Sequence, residues 1–327
     1  MALEMRTIKL NQKYSVALAP IPPFNFDATF HKPSHFPSSD CHWEKDKYLI
    51  TMLWRGKYLG LKFGNKGTVS RPKVKLTICS QKLLDKKFIK NLIPEIEWRF
   101  NLQDDICEFC KRFRNDKILG PVLKKWKGTR PVAANSFYET LIIYFVLQNA
   151  VVRRSVQMLK NIFNRFGKKV KFDNKTLSSF WPPKTISKIS ERTLRDLKLG
   201  YRAKFIKRVS EQFVKGEIDE FKMRQMPTEE LRKECLKIYG VGPASLQYIL
   251  FEDFYRYDFI ETIAPWEQKI LSKLLYNKKL VSIEKIIKDA DKRWGKWKNL
   301  ALHYIWEDIF WQRRHKKIDW LEKEIRL

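Results

Sequence analysis

Cysteine is scarce in this 327-residue sequence, and its distribution excludes a disulfide-stabilised scaffold. An odd number of cysteines cannot all pair with one another, and these are spread thinly along the chain. They are Cys41, Cys79, Cys107, Cys110 and Cys235. Because disulfides are rare where thiols are kept reduced, the sequence indicates a protein of a reducing compartment.

Long apolar segments are also missing. No run of about 18 apolar residues occurs, so the sequence predicts no membrane-spanning helix. The first residues, Met1 to Arg6, lack the apolar core of a secretion signal. We therefore expect a protein of the cytoplasm, associated with the nucleoid, or of the nucleus, with no membrane contact.

Acidic residues are few relative to basic ones. The chain has 36 Asp and Glu against 66 Lys and Arg, a formal net charge of +30. Net charge bears on partners and not on fold, and such an excess favours a polyanion, with nucleic acid first. Lysine enrichment without any partner is the alternative. The 44% of hydrophobic residues excludes disorder over the whole length.

The hydrophobic pattern predicts an α+β protein. Residues 5–80 are typical of strands: Tyr48–Trp54 and Tyr58–Phe63 flank a short hairpin connection, and Lys73–Cys79 alternates basic and apolar residues. From about residue 84 the pattern is helical, with a polar loop at 168–179. We expect an N-terminal antiparallel β-domain over 1–90 and a mostly α-helical domain over 91–327.

The segment Leu236–Leu250 contains the most informative motif. An amphipathic stretch ends at Tyr239, and Gly240, Val241 and Gly242 then form a predicted tight turn in which both glycines take angles forbidden to side chains. Pro243 suits the first position of a second helix. The pattern predicts a helix-hairpin-helix near 228–254, whose outward N–H groups bind phosphate. In a strongly basic protein, we expect this phosphate to belong to a nucleic acid.

This hairpin resembles the helix-hairpin-helix of the HhH-GPD superfamily of DNA glycosylases. The similarity extends to three helical segments of the branch that contains 3-methyladenine DNA glycosylase II and 8-oxoguanine DNA glycosylase. They are Ser136–Gln148, Leu199–Ile206 and Trp294–Trp306. Phe24–Phe30 resembles the N-terminal β-domain of the same branch more loosely. The resemblance implies two helical lobes that clasp a cleft, and excision of a damaged base flipped out of double-stranded DNA.

The resemblance also implies a catalytic Asp after the hairpin, which stabilises positive charge at sugar C1′. No Asp stands at that place here. Glu261, followed by Thr262, is the first candidate; Glu267 is the second, if Pro265 matches the proline before the Asp of bacterial 3-methyladenine DNA glycosylase II; Asp258 is the third. Each has an ordinary alternative: Glu261 could be a loop acid, Glu267 could stabilise the N-terminus of a helix, and Asp258 could be a turn residue.

Bifunctional members of this superfamily carry a nucleophilic Lys two residues after the second glycine. This chain has Ala244 there, and Pro243 matches the Gly-x-Gly-Pro of the alkylbase branch. The resemblance therefore implies a monofunctional N-glycosylase without AP-lyase activity. A damaged purine is the expected substrate, preferably an alkylated one, with uracil or another deaminated base left open. The alternative is a catalytically inactive DNA-binding protein on the same scaffold.

Residues for DNA contact and base recognition follow from the same resemblance. Asn149 is the expected filler of the gap left by the extruded base, and Gln148 is expected to contact the orphan base; both could instead cap their helix. The hairpin contacts are Gly240, Val241, Gly242 and Ala244. Four aromatic residues are candidates for stacking on the base, with burial in the core as the alternative: Tyr138, Trp181, Tyr248 and Trp266.

No cofactor is expected. No cysteine follows Cys235, which excludes the C-terminal iron–sulfur cluster of some members. Cys107 and Cys110 form a lone Cys-x2-Cys without two further zinc ligands. A second group is interpreted as polar loop residues: His31, His35, His42 and Cys41. We expect a monomer without a metal, whose partner is double-stranded DNA with a damaged base.

Overall fold

A computed structural model describes residues 7–325. The strands in this range are short, and most lie in the first quarter of the chain. They are β1 (Ile8–Lys9), β2 (Gln12–Leu18), β3 (Cys41–Glu44), β4 (Lys47–Trp54), β5 (Lys57–Asn65), β6 (Val74–Ser80), β7 (Lys168–Phe172) and β8 (Lys175–Ser179).

Five of these strands form an antiparallel sheet in the order β2-β6-β5-β4-β3. The predicted hairpin is confirmed, since β4 and β5 pair from Lys47 opposite Gly64 to Trp54 opposite Lys57. β6 confirms the third predicted strand, and its Val74, Leu76 and Ile78 point into the core.

The prediction of a loop at 168–179 is wrong. Residues 168–179 form a hairpin, β7 and β8, and β1 pairs with β7 in parallel to complete a three-stranded sheet. Asp173 and Asn174 make the turn, both at positive φ, which these residue types tolerate. Val170 and Phe172 pack on Leu49 of β4, so this hairpin attaches to the β-domain although it lies far along the chain.

Helices make up most of the remaining chain. They are α1 (Phe26–Phe30), α2 (Lys86–Arg99), α3 (Cys107–Arg112), α4 (Leu119–Trp126), α5 (Phe137–Leu147), α6 (Val152–Phe166), α7 (Pro183–Ser187), α8 (Glu191–Leu194), α9 (Arg202–Lys215), α10 (Glu220–Arg224), α11 (Thr228–Lys237), α12 (Pro243–Tyr248), α13 (Pro265–Tyr276), α14 (Ile283–Trp294), α15 (Lys298–His315) and α16 (Asp319–Glu324). None of the helices between residues 7 and 325 is both long and apolar enough to span a membrane.

The predicted domain border at residue 90 falls inside α2. Ile89, Leu92 and Ile96 of this helix are buried in the same core as the sheet strands. That core continues past the end of α2 to Leu102. The N-terminal segment also contains α1, which sequence alternation did not predict. Asn25 caps α1 by accepting a hydrogen bond from the amide of Ala28.

The helical part divides into two lobes, each with its own core. One lobe is built mainly from α5 to α12, and the other from α3 and α4 together with α13 to α15. A π-helical segment, Ile249–Asp253, continues α12 and joins the lobes: Leu250 packs in the first core and Phe251 in the second. The predicted α+β architecture with a two-lobed helical domain is confirmed.

Candidate active site

The hairpin between α11 and α12 uses its two glycines differently. Gly240 has φ of +94°, and a Cβ there would come within 2.9 Å of ring atoms of Phe145 and Phe205. Gly242 has an extended φ of −118°, and a Cβ there would meet nothing within 4 Å. The prediction that both glycines are needed for backbone angles is therefore wrong for Gly242, which leaves a bare surface that a ligand can approach closely.

The second half of the hairpin opens a helix as predicted. Gly242 is the N-cap of α12 and its carbonyl accepts from the amides of Ser245 (3.0 Å) and Leu246 (2.9 Å), while Pro243 occupies the first helical position. Pro243 has no N–H and the Ser245 amide is bonded to Gly242, so the Ala244 amide is the first-turn donor without a partner among the described residues. Ala244 is exposed and Val241 is half-buried against the first lobe. The exposed side of the hairpin therefore offers the Ala244 amide as a donor.

The turn after α5 lies beside the hairpin. The Gln148 amide donates from Nε2 to the Gly240 carbonyl oxygen at 2.9 Å. Asn149 is exposed at a φ of +48°, and its Nδ2 donates to the Tyr201 hydroxyl at 3.3 Å. The structure thus brings the two predicted DNA-contact segments together. It also gives Gln148 a third role, since its side chain holds the hairpin in place.

Two residues at this surface were not singled out from the sequence. Tyr201 is 42% exposed, and its hydroxyl donates to the Gln148 carbonyl oxygen at 3.3 Å. Arg202 donates to the same oxygen from Nε at 3.0 Å, with its guanidinium 4.7 Å from the Tyr201 ring centroid. Both residues lie in the segment Leu199–Ile206, which carried part of the family resemblance. Only the fold shows that this segment adjoins Asn149.

The first and third catalytic candidates are exposed to solvent. The Glu261 side chain is 42% exposed, and its Oε1 lies 3.0 Å from Arg232 Nη2 on α11. Asp258 is exposed in a turn. A carboxylate that already has a cationic partner and open access to water is poorly placed to stabilise charge in a dry cleft.

Glu267 has different surroundings. It stands in the first turn of α13, half-buried, and its Oε2 accepts from the Ala264 amide at 3.3 Å. Burial raises the pKa of its carboxyl, while the Tyr248 hydroxyl and the Ala264 amide lower it and the nearby Glu252 raises it further. Glu267 therefore faces Tyr248 and Glu252 on α12 and its π-helical continuation.

Those two residues adjoin Tyr144 and His35 where the two lobes meet. Glu252 Oε2 is 3.0 Å from the Tyr144 hydroxyl of α5, and Glu252 Oε1 is 3.7 Å from His35 Nε2. The side chains of His35 and Glu252 are 49% and 24% exposed, so water reaches both. We call this partly exposed group of Tyr144, Tyr248, Glu252, Glu267 and His35 the cleft.

Buried titratable residues adjoin Glu252 on the inner side of this group. Lys32 is 6% exposed and Glu307 of α15 is 2% exposed, and each shifts the pKa of the other toward its charged form. Burial nevertheless lowers the pKa of Lys32 to about 8. Ser34 donates to Glu307 Oε1, and Glu307 Oε2 has no partner among the described residues. Burial also lowers the pKa of His303, whose Nε2 has no partner there either.

Sequence reasoning missed these cleft residues. Lys32 and His35 come from the loop after α1, Tyr144 from the middle of the chain, and Glu252 and Glu307 from its last third. No spacing in the sequence connects them. His35 was noticed only as a loop histidine.

The predicted base-stacking aromatics separate into two groups. Tyr138 (3% exposed) and Trp181 (1% exposed) are core residues of the first lobe, so that prediction is wrong: helical spacing placed their rings inward and leaves no face for a base. Trp266 packs edge-on to Trp306 at 5.3 Å between ring centroids. Tyr248 lies in the cleft beside Glu267.

The cysteines and histidines do not converge in the structure. Among residues 7–325 no three His, Cys, Asp or Glu side chains are grouped so that they could hold a metal ion. Burial raises the pKa of Cys110 to about 11, which leaves a thiol at neutral pH.

A helix-hairpin-helix within a helical domain of two lobes, together with an N-terminal β-domain, is the fold of the HhH-GPD DNA glycosylases. Two solved structures share it. The 3-methyladenine DNA glycosylase of Archaeoglobus fulgidus has a TM-score of 0.71 at 15% identity, covering 93% of this chain and 99% of that one. The 8-oxoguanine glycosylase/lyase of Clostridium acetobutylicum, in complex with double-stranded DNA, has a TM-score of 0.68 at 20% identity, covering 97% and 100%.

Two relatives are similar in sequence. The DNA-3-methyladenine glycosylase of Bacillus subtilis is 21% identical over 255 residues, which are 73% of this chain and 83% of the relative. A probable N-glycosylase/DNA lyase of Methanothermobacter thermautotrophicus is 26% identical over 204 residues, 57% of this chain and 64% of the relative. No family model matches the chain. The resemblance to the 3-methyladenine and 8-oxoguanine branch is confirmed.

Proposed function

We propose that the protein is a DNA glycosylase of base excision repair that removes damaged purines from double-stranded DNA by hydrolysis. The observation that carries the proposal is the half-buried carboxylate of Glu267 beside Tyr248, the last residue of the helix that the hairpin opens. Relatives named as DNA glycosylases support the same activity.

Glu267 is the carboxylate that we propose for catalysis. As the N-glycosidic bond breaks, C1′ gains positive charge, which a fixed anion in a water-poor site stabilises. The same carboxylate can take a proton from the attacking water. Glu261, the first choice from the sequence, is held by Arg232 at 3.0 Å. Glu267 is also the residue that stands at the place of the family's catalytic Asp if Pro265 is aligned with the proline that precedes that Asp.

We further propose hydrolysis without lyase chemistry. Ala244 supplies no amine at the position used by bifunctional members, and the Pro243-Ala244 pair favours alkylated purines as the first substrates to test. One of the relatives is named a probable lyase, so lyase activity has to be measured separately.

The proposed DNA contact joins the hairpin to the Asn149 turn. The unpaired Ala244 amide at the start of α12 and a net charge of +30 favour phosphate binding. The logarithm of affinity should fall with the logarithm of salt with a slope of about −0.9 per phosphate contacted. An affinity that is independent of salt would contradict this contact.

The deciding experiment incubates the protein with duplexes that each carry one damaged base, followed by alkali, which cleaves the strand at abasic sites. We expect cleavage with at least one purine lesion and no cleavage of undamaged duplex. Salt-dependent DNA binding without any base release would support the inactive DNA-binding scaffold instead.

A further inference from the structure

Two carboxyl groups in the cleft share a single hydroxyl. The Tyr144 hydroxyl lies 3.0 Å from Glu252 Oε2 and 3.3 Å from Asp253 Oδ2. A phenol has one proton, so it can donate to only one of two carboxylates. The arrangement is satisfied when one acid carries a proton that it donates to the phenol oxygen. The group Glu252, Tyr144 and Asp253 is therefore built to hold a proton.

The open end of this group is Glu252. Asp253 is 4% exposed, whereas the Glu252 side chain is 24% exposed and adjoins His35 on the cleft wall. Glu252 follows Ala244 by two helical turns, on the element that leads inward from the hairpin. Glu252 lies near enough to Glu267 for its charge to raise the pKa of that carboxyl, so a base held beside Glu267 would also lie near Glu252.

Titratable groups from several elements surround Glu252. Burial raises its pKa to about 7, while Tyr144 of α5 and Lys32 of the loop after α1 lower it. The other titratable groups facing this region are His35 on that loop, Tyr248 and Asp253 on its own element, Glu267 on α13, and His303 and Glu307 on α15. Among these described residues the cation is Lys32, because burial lowers the pKa of both histidines.

We propose that Glu252 is a second catalytic residue, the general acid that protonates the departing base, and that the enzyme therefore releases purine lesions without a fixed positive charge. The inference rests on the glycosylase function proposed above. Two carboxyl groups with separate roles, one anionic and one protonated, are what hydrolysis of an uncharged leaving group needs.

During base release one proton moves to the departing base and another leaves the attacking water. The bond from C1′ to the base nitrogen breaks, and its electron pair stays on the base, which receives the proton of Glu252. Water adds its oxygen to C1′ and gives a proton to Glu267. Glu252 regains a proton from solvent at the exposed His35 side, and Glu267 loses one, so the net reaction consumes one water. A purine that N-alkylation has made cationic leaves as a neutral base and needs no acid.

The test compares the two kinds of lesion in otherwise identical duplexes. Single-turnover release is measured with hypoxanthine and 1,N6-ethenoadenine, which are uncharged, and with 7-methylguanine, which is cationic. Glu252→Gln keeps the size of the side chain and removes the acid. We expect it to slow release of the uncharged lesions by about 10²–10⁴-fold and to leave 7-methylguanine release within a few fold, since general acid catalysis contributes that much.

The pH profile provides a readout that a structural role would not change. For the uncharged lesions, wild-type release should fall as pH rises through about 7, where Glu252 loses its proton. Tyr144→Phe removes a hydrogen bond that lowers this pKa, so the falling limb should move to higher pH. Glu108→Gln, an exposed acid on α3 paired with Lys296, is the matched control and should behave as wild type.

The outcomes separate the two proposals. If wild type releases none of the three bases, the glycosylase function fails. If it releases 7-methylguanine only, or if Glu252→Gln slows all three equally or none, Glu252 is not the acid although the glycosylase function stands. Circular dichroism and DNA affinity of each variant show whether a loss of rate comes from loss of folding.

Discussion

The hairpin and the cleft of this protein are built by opposite means. The hairpin is local: its turn, its cap and its N-terminal proline lie within residues 238–246, and its exposed side is mostly backbone. The cleft is assembled from side chains on the loop after α1, on α5, on the π-helical segment, on α13 and on α15. A surface for a repeating phosphate backbone needs only backbone donors, whereas a site for chemistry needs side chains of chosen charge held away from bulk water.

This difference predicts that substitutions in the two regions change different quantities. Hairpin variants should bind DNA less tightly, and the rate of base release from the bound complex should stay nearly unchanged. Cleft variants should lower the rate of base release and leave affinity nearly unchanged.

Among variants expected to affect every lesion, Glu267→Gln should have the largest effect. Removing the anion beside C1′ should lower single-turnover base release by about 10²–10³-fold. Affinity for the damaged duplex should be equal or slightly higher, because a negative charge near phosphate is lost. Rates at saturating enzyme and a binding titration measure the two quantities. If Glu261→Gln abolishes release while Glu267→Gln does not, the ranking from the sequence was correct.

The next largest effects should differ between the two glycines of the hairpin, one on stability and the other on DNA affinity. Gly240→Ala should destabilise the protein by about 1–2 kcal/mol, because a left-handed φ is unfavourable for alanine, and more if Phe145 and Phe205 cannot yield. Gly242→Ala should fold normally, since its Cβ would face open space, but should bind DNA less tightly. Thermal unfolding and binding titrations test both. Equal stability of the two variants would show that Gly240 is not the strained position.

A smaller effect is expected from the side chain that holds the hairpin. Gln148→Leu removes the 2.9 Å bond to the Gly240 carbonyl, a loss of about 1 kcal/mol. We expect roughly fivefold weaker DNA binding, as 1.4 kcal/mol corresponds to a factor of ten. The rate of base release from the bound complex should not change. A large loss of rate with normal affinity would show instead that Gln148 acts on the orphan base.

No effect at all is expected from borohydride. With Ala244 in place of the nucleophilic lysine, reduction during turnover should trap no covalent complex between protein and DNA. Mass spectrometry of any trapped band would locate the amine. A label on Lys32, the buried lysine behind the cleft, would show that lyase chemistry uses a different residue here.

Features that depend on local patterns could be predicted from the amino-acid sequence. The α+β order, the β4–β5 hairpin and the helix-hairpin-helix follow from periodicity and from glycine and proline placement, which act within a few residues. The absence of an amine at Ala244 is likewise a matter of one position. The loop predicted at 168–179 was wrong: β7 pairs with β8, and it also pairs with β1, more than a hundred residues away.

Which acids face the cleft depends on how distant elements pack, and local patterns do not show it. Glu261 and Glu267 are six positions apart, yet one pairs with Arg232 in solvent and the other turns inward toward Tyr248. The same holds for Tyr138 and Trp181, which helical spacing cannot distinguish from cleft aromatics. Burial and neighbouring charge set the protonation of a carboxyl group, and both depend on which distant elements pack around it. Glu252, Lys32 and Glu307 acquire a shared environment only when the two lobes and the loop after α1 come together.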